Sequence, residues 1–341
     1  MADAIDRAVT PAAVIEVGSC DTPIWREPFG RLTYDATASP AGLDTIFDLA
    51  SLTKVMATTS LVMRAVAEER LSLDTKVSAL LEDWTAADRS EISVRHLLEH
   101  SAGFPAHLRL WEVATGRSEY EAALRDVPLE RPPGVASVYS DIGFLALGFV
   151  IEAARGGSLD NQFDELRRAW DGTTTFRPSS ALLARIAPTE YDAVRECVVH
   201  GQVHDENARA LGGVAGHAGL FGTASDVGAF ARLVLRTFRE PTDLGTPSLV
   251  RTFATECRVP SSSRALGWDT MRPTSSCGSL MSTGAIGHTG FTGTSLWIDH
   301  ARDLYVVLLT NRIHPTRTND AHLALRPRVH DAIVTAFDAD R

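Results

Sequence analysis

Phe47-Asp48-Leu49-Ala50-Ser51-Leu52-Thr53-Lys54 sets a serine and a lysine three residues apart at the head of an apolar-periodic segment running to about Glu69. Leu61, Val62, Ala65 and Val66 recur there at helical spacing, which predicts a helix. On a helix, positions i and i+3 share a face with Cβ atoms about 5–6 Å apart. The Ser51 hydroxyl and the Lys54 amine can then share a proton. Serine is a weak nucleophile until a neighbouring base removes that proton, so the pair has the parts of an activated nucleophile. A helix N-terminus also favours an oxyanion, through its unpaired N–H groups and its dipole. Alone, Ser-x-x-Lys is a common spacing and serine an ordinary helix cap. The reading depends on partners elsewhere in the chain.

Outward from this stretch, Ala12–Gly18 is a β-branched run ended by glycine and reads as a strand. Residues Gly30 to Asp35 read as a second. From Val77 to about Arg209 the pattern is mostly helical, with Ser93 capping a helix and Pro132-Pro133-Gly134 marking a turn. Tyr139-Ser140-Asp141 precedes an apolar helix from Ile142 to Ala154, and Leu159–Trp170 is another. Gly212 to Gly222 is glycine-rich, without the ending of a phosphate-binding loop, and reads as a tight, closely packed loop. Ala224-Ser225-Asp226 caps a helix through Leu235. Ser295–Ile298 and Leu304–Leu309 flank turn residues in a hairpin pattern, and a helix follows Ala321. Strands at both ends with helices between predict an α/β domain built from residues 1–75 and 215–341, interrupted by an all-helical insert over 76–214.

The composition bounds the function. At 341 residues with 44% hydrophobic and 22% charged residues, the chain is that of an ordinary globular protein with a large core. A formal net charge of −10 and no basic block argue against a nucleic-acid surface. The four cysteines, Cys20, Cys197, Cys257 and Cys277, are scattered without a C-x-x-C pair, which fits thiols in a reducing compartment. The start lacks a basic leader and an apolar run, and no stretch reaches membrane-spanning length, so a cytoplasmic location is expected, without a membrane partner.

Three separated motifs give Ser51 its partners: Ser51-x-x-Lys54, then Tyr139-Ser140-Asp141, then His288-Thr289-Gly290. In that order they resemble the serine β-lactamase and penicillin-binding-protein superfamily, in particular its class C-like esterase and D,D-peptidase branch. Phe47–Thr58, Val94–Gly103, Tyr139–Gly148, Gly201–Asp226 and Leu309–Pro315 also look like family segments, so the resemblance spans nearly the whole chain. It implies an α/β (α+β) fold, an antiparallel sheet flanked by helices, with the active site where sheet domain and insert meet. It further implies that Ser51 attacks a carbonyl carbon to form an acyl-enzyme, that Lys54 lowers its proton affinity, and that Tyr139 acts as general base or proton shuttle. Nearby cations would then have to hold the tyrosine below its normal pKa of about 10. The backbone N–H groups of Ser51 and Phe291 would form the oxyanion hole. Asp141, His288, Thr289 and Gly290 would bind substrate, with Gly290 letting it approach the strand edge. The implied chemistry needs no cofactor and no metal, and its partner is a small-molecule substrate.

Two positions depart from the family pattern. Asp141 stands where most relatives have Asn, and an ionised carboxylate accepts but does not donate hydrogen bonds. It can pair with Lys54, or cap the Ile142 helix and nothing more. His288 stands where β-lactamases usually have Lys, and histidine is largely neutral at pH 7. Both lower the expectation of β-lactam hydrolysis. His204, Asp205, Glu206 and His217 are metal-ligand types without metal-site spacing, and read as a structural network or a pocket-shaping loop. His96 and His100 read as structural, and His107 and Trp111 stay open as pocket residues. The expectation is a serine hydrolase acting on an ester or a short D-amino-acid peptide. A β-lactamase or D,D-carboxypeptidase is the alternative within that class, and a catalytically silent penicillin-recognising binding module is the alternative outside it.

Overall fold

In the computed structural model, which describes residues 1–339 apart from Asp83 and Ser261, the two ends of the chain meet in one antiparallel sheet. Its strands are β1 (Ala12–Gly18), β2 (Pro23–Gly30), β3 (Asp269–Thr270), β4 (Ile286–Thr289), β5 (Ser295–Asp299) and β6 (Leu304–Thr310). They lie in the order β2-β1-β6-β5-β4-β3, so the N-terminal pair docks onto the C-terminal hairpin through β1 and β6. That seam runs in register from Ala13 opposite Thr310 to Gly18 opposite Tyr305.

Four helices bear on the site: α1 (Ser60–Ala67), α2 (Asp141–Arg155), α3 (Ala224–Thr237) and α4 (Ala321–Ala339). Val14, Val307 and Leu309 share a core with Val227, Phe230 and Val234 of α3. The alternate residues Ala13, Ile15, Val306 and Leu308 share a second core with Val329, Val334 and Phe337 of α4. Covered on both faces, β1 and β6 are buried along their whole length, which explains their near-continuous apolar sequences.

Two expectations are corrected. The second strand is Pro23–Gly30, so of the expected Gly30 to Asp35 only Gly30 belongs to it, and the chain bends beyond Arg31. β2 is an edge strand, where proline is tolerated, so Pro23 and Pro28 concealed it from a propensity reading. The 76–214 segment is not all-helical. It contains the two-residue strands Thr175–Phe176, Tyr191–Asp192 and Cys197–Val198 beside its helices. Thr175–Phe176 pairs with Leu220–Gly222, which pairs with Phe47–Asp48, so the insert is stitched to the residues just before Ser51.

Within β1, Glu16 is fully buried between the sheet and α3. It accepts from Tyr305 Oη at 2.7 Å and pairs with Arg26 Nε at 2.9 Å and Arg232 Nη1 at 3.2 Å. Gly228 of α3 makes room for it: a Cβ there would lie 1.9 Å from Glu16 Oε1. Alanine gains about 1 kcal/mol of helix propensity over glycine. Overpacking a site whose neighbour is pinned costs about 1–3 kcal/mol. Gly228→Ala is therefore expected to lower the midpoint of thermal unfolding, and an unchanged or raised midpoint would show that Glu16 is free to move.

Candidate active site

The Ser51 segment is held from both sides before it becomes a helix. Asp48 is buried, and its carboxylate accepts from the Ala50 N–H at 2.9 Å and the His204 N–H at 2.7 Å. Burial pushes the Asp48 carboxyl above the usual carboxylate range, and these two bonds oppose that. Ala50 then takes a left-handed backbone (φ 47°), which turns the chain so that Ser51 stands at the head of the helix. The helix is not α throughout. Lys54–Thr59 is a π-helical turn, fully buried, that leads into α1. Such turns are rare and concentrate at functional sites. Here Thr58 Oγ1 donates to Gly216 O at 2.6 Å and Ser60 Oγ to Val55 O at 2.8 Å.

Lys54 Nζ is the centre of the site. It lies 2.9 Å from Ser51 Oγ, 2.7 Å from Asp141 Oδ1 and 3.0 Å from His217 O. Tyr139 Oη lies 3.0 Å from Ser51 Oγ. The serine oxygen thus meets the lysine and the tyrosine at hydrogen-bonding distance. Asp141 is not the cap of its helix. Ser140 is, accepting the Gly143 N–H at 3.1 Å, which leaves the Asp141 carboxylate free to turn toward Lys54 and, at 3.6 Å, His107 Nδ1.

The electrostatics follow from these contacts. Burial opposes the charge on Lys54, but the adjacent Asp141 carboxylate and Tyr139 oxygen together outweigh it and hold the amine above the usual lysine range. Burial likewise works against the Asp141 charge, yet Lys54 and His107 hold its carboxyl well below the usual range. Lys54 is an ammonium and Asp141 a carboxylate. The expectation that cations depress Tyr139 is not met: burial pushes the phenol up, and Lys54 offsets only part of this. At rest Tyr139 is a neutral hydroxyl.

The third motif ends β4. Gly290 N–H donates to Thr294 O at 2.8 Å, Thr292 Oγ1 to Asp48 O at 2.7 Å and Thr294 Oγ1 to Leu49 O at 3.0 Å. This turn is therefore fastened to the two residues before Ala50. Among the described residues, neither the Ser51 nor the Phe291 backbone N–H is engaged by a backbone or side-chain acceptor, leaving both available to a developing oxyanion. The role expected of Gly290 changes. A Cβ there would lie 2.1 Å from Thr294 Oγ1 and 2.7 Å from Leu49 O, so the chain's own packing demands glycine, before any substrate arrives. β3 pairs with Ile286 and Gly287, so among the described residues the β4 edge at His288 and Thr289 carries no strand. His288 Nδ1 lies 2.8 Å from Thr289 O, which makes that nitrogen the N–H donor and leaves Nε2 as an acceptor. Burial, with Lys54 and Arg264 nearby, keeps the ring neutral, well below the ordinary histidine range.

Several neighbours were beyond sequence reasoning. His100 packs its ring 4.7 Å from that of Tyr139 and accepts the Ser140 N–H at 3.0 Å. Arg264 lies 4.7 Å over the Tyr139 ring. His96 is a capping partner of Ser93. Of His204, Asp205, Glu206 and His217, His204 pairs with Glu190 at 2.9 Å, His217 with Asp205 at 2.7 Å, and Glu206 with Arg317 at 2.9 Å. His204 also stacks on Phe291 with ring centroids 5.6 Å apart, and Trp111 packs 5.7 Å from His107. The contacts of His100 and Arg264 with Tyr139, and of His204 with Phe291, join residues far apart in sequence, and no local pattern announces them.

Comparison with known proteins agrees with this geometry. The family described as Beta-lactamase matches residues 1–328. A putative D-alanyl-D-alanine carboxypeptidase of Escherichia coli (strain K12) is 32% identical over 305 residues, 79% of this chain and 70% of that protein. An N-acetylmuramyl-L-alanine amidase of Bacillus subtilis (strain 168) is 32% identical over 310 residues, 79% of this chain and 68% of that one. The solved structure of EstCE1, a hydrolase with promiscuous acyltransferase activity, superposes with a TM-score of 0.75, covering 95% of each chain at 21% identity, which speaks for the fold. With its three motifs gathered around one serine, the chain belongs to the Beta-lactamase family and is a serine hydrolase of that fold.

Proposed function

We propose that the chain hydrolyses esters or short D-amino-acid peptides through an acyl-enzyme on Ser51. The observation that carries this is the convergence on Ser51 Oγ of Lys54 Nζ at 2.9 Å and Tyr139 Oη at 3.0 Å. Ser51 Oγ bonds to the substrate carbonyl carbon as its proton passes to the ionised Tyr139 oxygen. The carbonyl oxygen gathers charge toward the Ser51 and Phe291 N–H groups, each such donor being worth about 3–4 kcal/mol in the transition state. Tyr139 returns the proton to the departing alcohol or amine, and water then releases the acyl group by the reverse path. Lys54 stays an ammonium throughout, steadying the tyrosinate. The name of the Escherichia coli relative supports a D-amino-acid peptide as substrate, and the neutral His288 argues against a dedicated β-lactamase.

Incubation with a fluorophosphonate probe followed by peptide mass spectrometry is expected to place the adduct on Ser51, and Ser51→Ala should abolish it. Folded protein that takes no adduct would point to the silent binding module. Tyr139→Phe keeps the ring packing and removes the proton carrier, so kcat should fall by about 10²–10⁴-fold. An unchanged rate would remove Tyr139 from the mechanism.

The pH dependence follows from the resting protonation. Lys54 is charged and the Tyr139 phenol is raised, so one proton must leave the cluster before Ser51 has a base. The reactive form grows as pH rises. Background-corrected p-nitrophenyl ester hydrolysis is expected to climb about tenfold per pH unit below the tyrosine's apparent pKa. A rate already level at pH 7 would show that another group takes the proton.

A further inference from the structure

We propose that Arg264 is a positioning residue for Tyr139, supplying from the neighbouring hairpin the fixed positive charge beside the phenol that position 288 does not provide. The proposal rests on Tyr139 taking the Ser51 proton. The groups facing the ring are Lys54 and Asp141 from one side, the imidazoles of His100 and His288, and Arg264 with its partner Asp269. Burial and Arg264 hold His100 well below the ordinary histidine range, as they do His288, so neither imidazole contributes charge. Lys54, 5.0 Å from the ring centroid, is partly balanced by Asp141 at 2.7 Å. The Arg264 guanidinium adds a second cation, 4.7 Å over the ring face, at a distance where a cation attracts the aromatic quadrupole and favours the phenolate.

The hairpin that carries Arg264 is built to hold it there. Thr270 N–H bonds Ser263 O at 3.0 Å, Ala265 N–H bonds Trp268 O at 2.9 Å, and Cys257 N–H bonds Arg264 O at 2.7 Å. Its tip, Gly267, is left-handed (φ 82°) and donates its N–H to Leu98 O at 2.9 Å. A Cβ at Gly267 would sit 2.1 Å from Thr59 Oγ1, so the tip rests on the π-helical turn that also carries Lys54. Arg264 Nη1 meets Asp269 Oδ1 at 2.6 Å, and Asp269 stands opposite Gly287, the neighbour of His288. The carboxylate pairs with the guanidinium by charge and offsets part of its field. The two residues therefore act on Tyr139 with opposite sign.

Background-corrected pH–rate profiles for a p-nitrophenyl ester test this in the wild type, Arg264→Gln, Arg264→Lys and Asp269→Asn. Arg264→Gln is expected to move the alkaline limb up by about one pH unit, the low end of what an adjacent charge produces, so that the rate on the limb falls about tenfold while the high-pH plateau is approached again. Arg264→Lys should restore most of the position. Asp269→Asn should move the limb to lower pH, and it keeps the proposal testable if Arg264→Gln does not fold. A limb that stays in place in Asp269→Asn, or a uniform loss at all pH in Arg264→Gln, would overturn the proposal by reducing Arg264 to a structural part. Tyr139→Phe with an undiminished rate would instead overturn it through its premise, leaving Ser51 labelling intact.

Discussion

The buried ammonium of Lys54 is the constraint on which the site depends. Lysine carries three donors and no acceptor. Each finds an oxygen from a different part of the chain: Ser51 Oγ on its own turn, Asp141 Oδ1 at the head of α2, and His217 O in the glycine-rich stretch. A buried ion pair contributes little net stability, because desolvation consumes most of the attraction, but leaving one partner alone costs about 3–5 kcal/mol. The pair therefore works less as glue than as a gauge. The insert, the glycine stretch and the catalytic turn fit together only in the arrangement that satisfies all three donors, and that arrangement puts Tyr139 at the serine.

Backbone contact makes so close a meeting possible. Gly216 would place a Cβ 2.1 Å from Phe144 O and 3.0 Å from the Gly148 backbone, so α2 and the 212–222 stretch touch without side chains between them. The same residue's carbonyl accepts from Thr58, and the next carbonyl, of His217, accepts from Lys54. Across the site, Thr292 and Thr294 hydroxyls do the equivalent for β4, donating to Asp48 O and Leu49 O. Short side chains in the turn after β4 and bare backbone in the 212–222 stretch keep both walls within hydrogen-bonding distance of the serine turn.

How much of this the sequence revealed follows from the range of each interaction. β1 and β6 were legible because burial on both faces writes itself as unbroken apolar runs. The pairing of Ser51 and Lys54 needed only helical spacing, and the approach of Tyr139 needed the order of the motifs. β2 was missed because an edge strand can hold Pro23 and Pro28 without losing ladder bonds that matter. The π-helical turn has no propensity signature, since it arises from where Thr58 and Ser60 find acceptors. His107, His217 and Arg264 reach the site from loops whose closure depends on the whole fold. The family pattern named Asp141 as a departure, but only the structure shows Ser140 taking the cap and freeing that carboxylate for Lys54.

The charge inventory also says what kind of group the pocket can receive. His288 turns its Nδ1–H onto Thr289 O and is neutral, and its Nε2 is buried without a hydrogen-bond partner. A substrate carboxylate brought to that edge finds a neutral imidazole where a lysine would have met it with a cation. The two positive side chains nearest Tyr139 are already committed, Lys54 to Asp141 and Arg264 to Asp269. Their attraction for an incoming anion is spent internally, holding the catalytic turn and the phenol in place. What remains at the β4 edge is hydrogen bonding by the half-buried Thr289 hydroxyl. Such an edge discriminates by donors and shape more than by charge, so a neutral ester or peptide group loses little there, whereas an anionic group surrenders its water without a counter-charge in return.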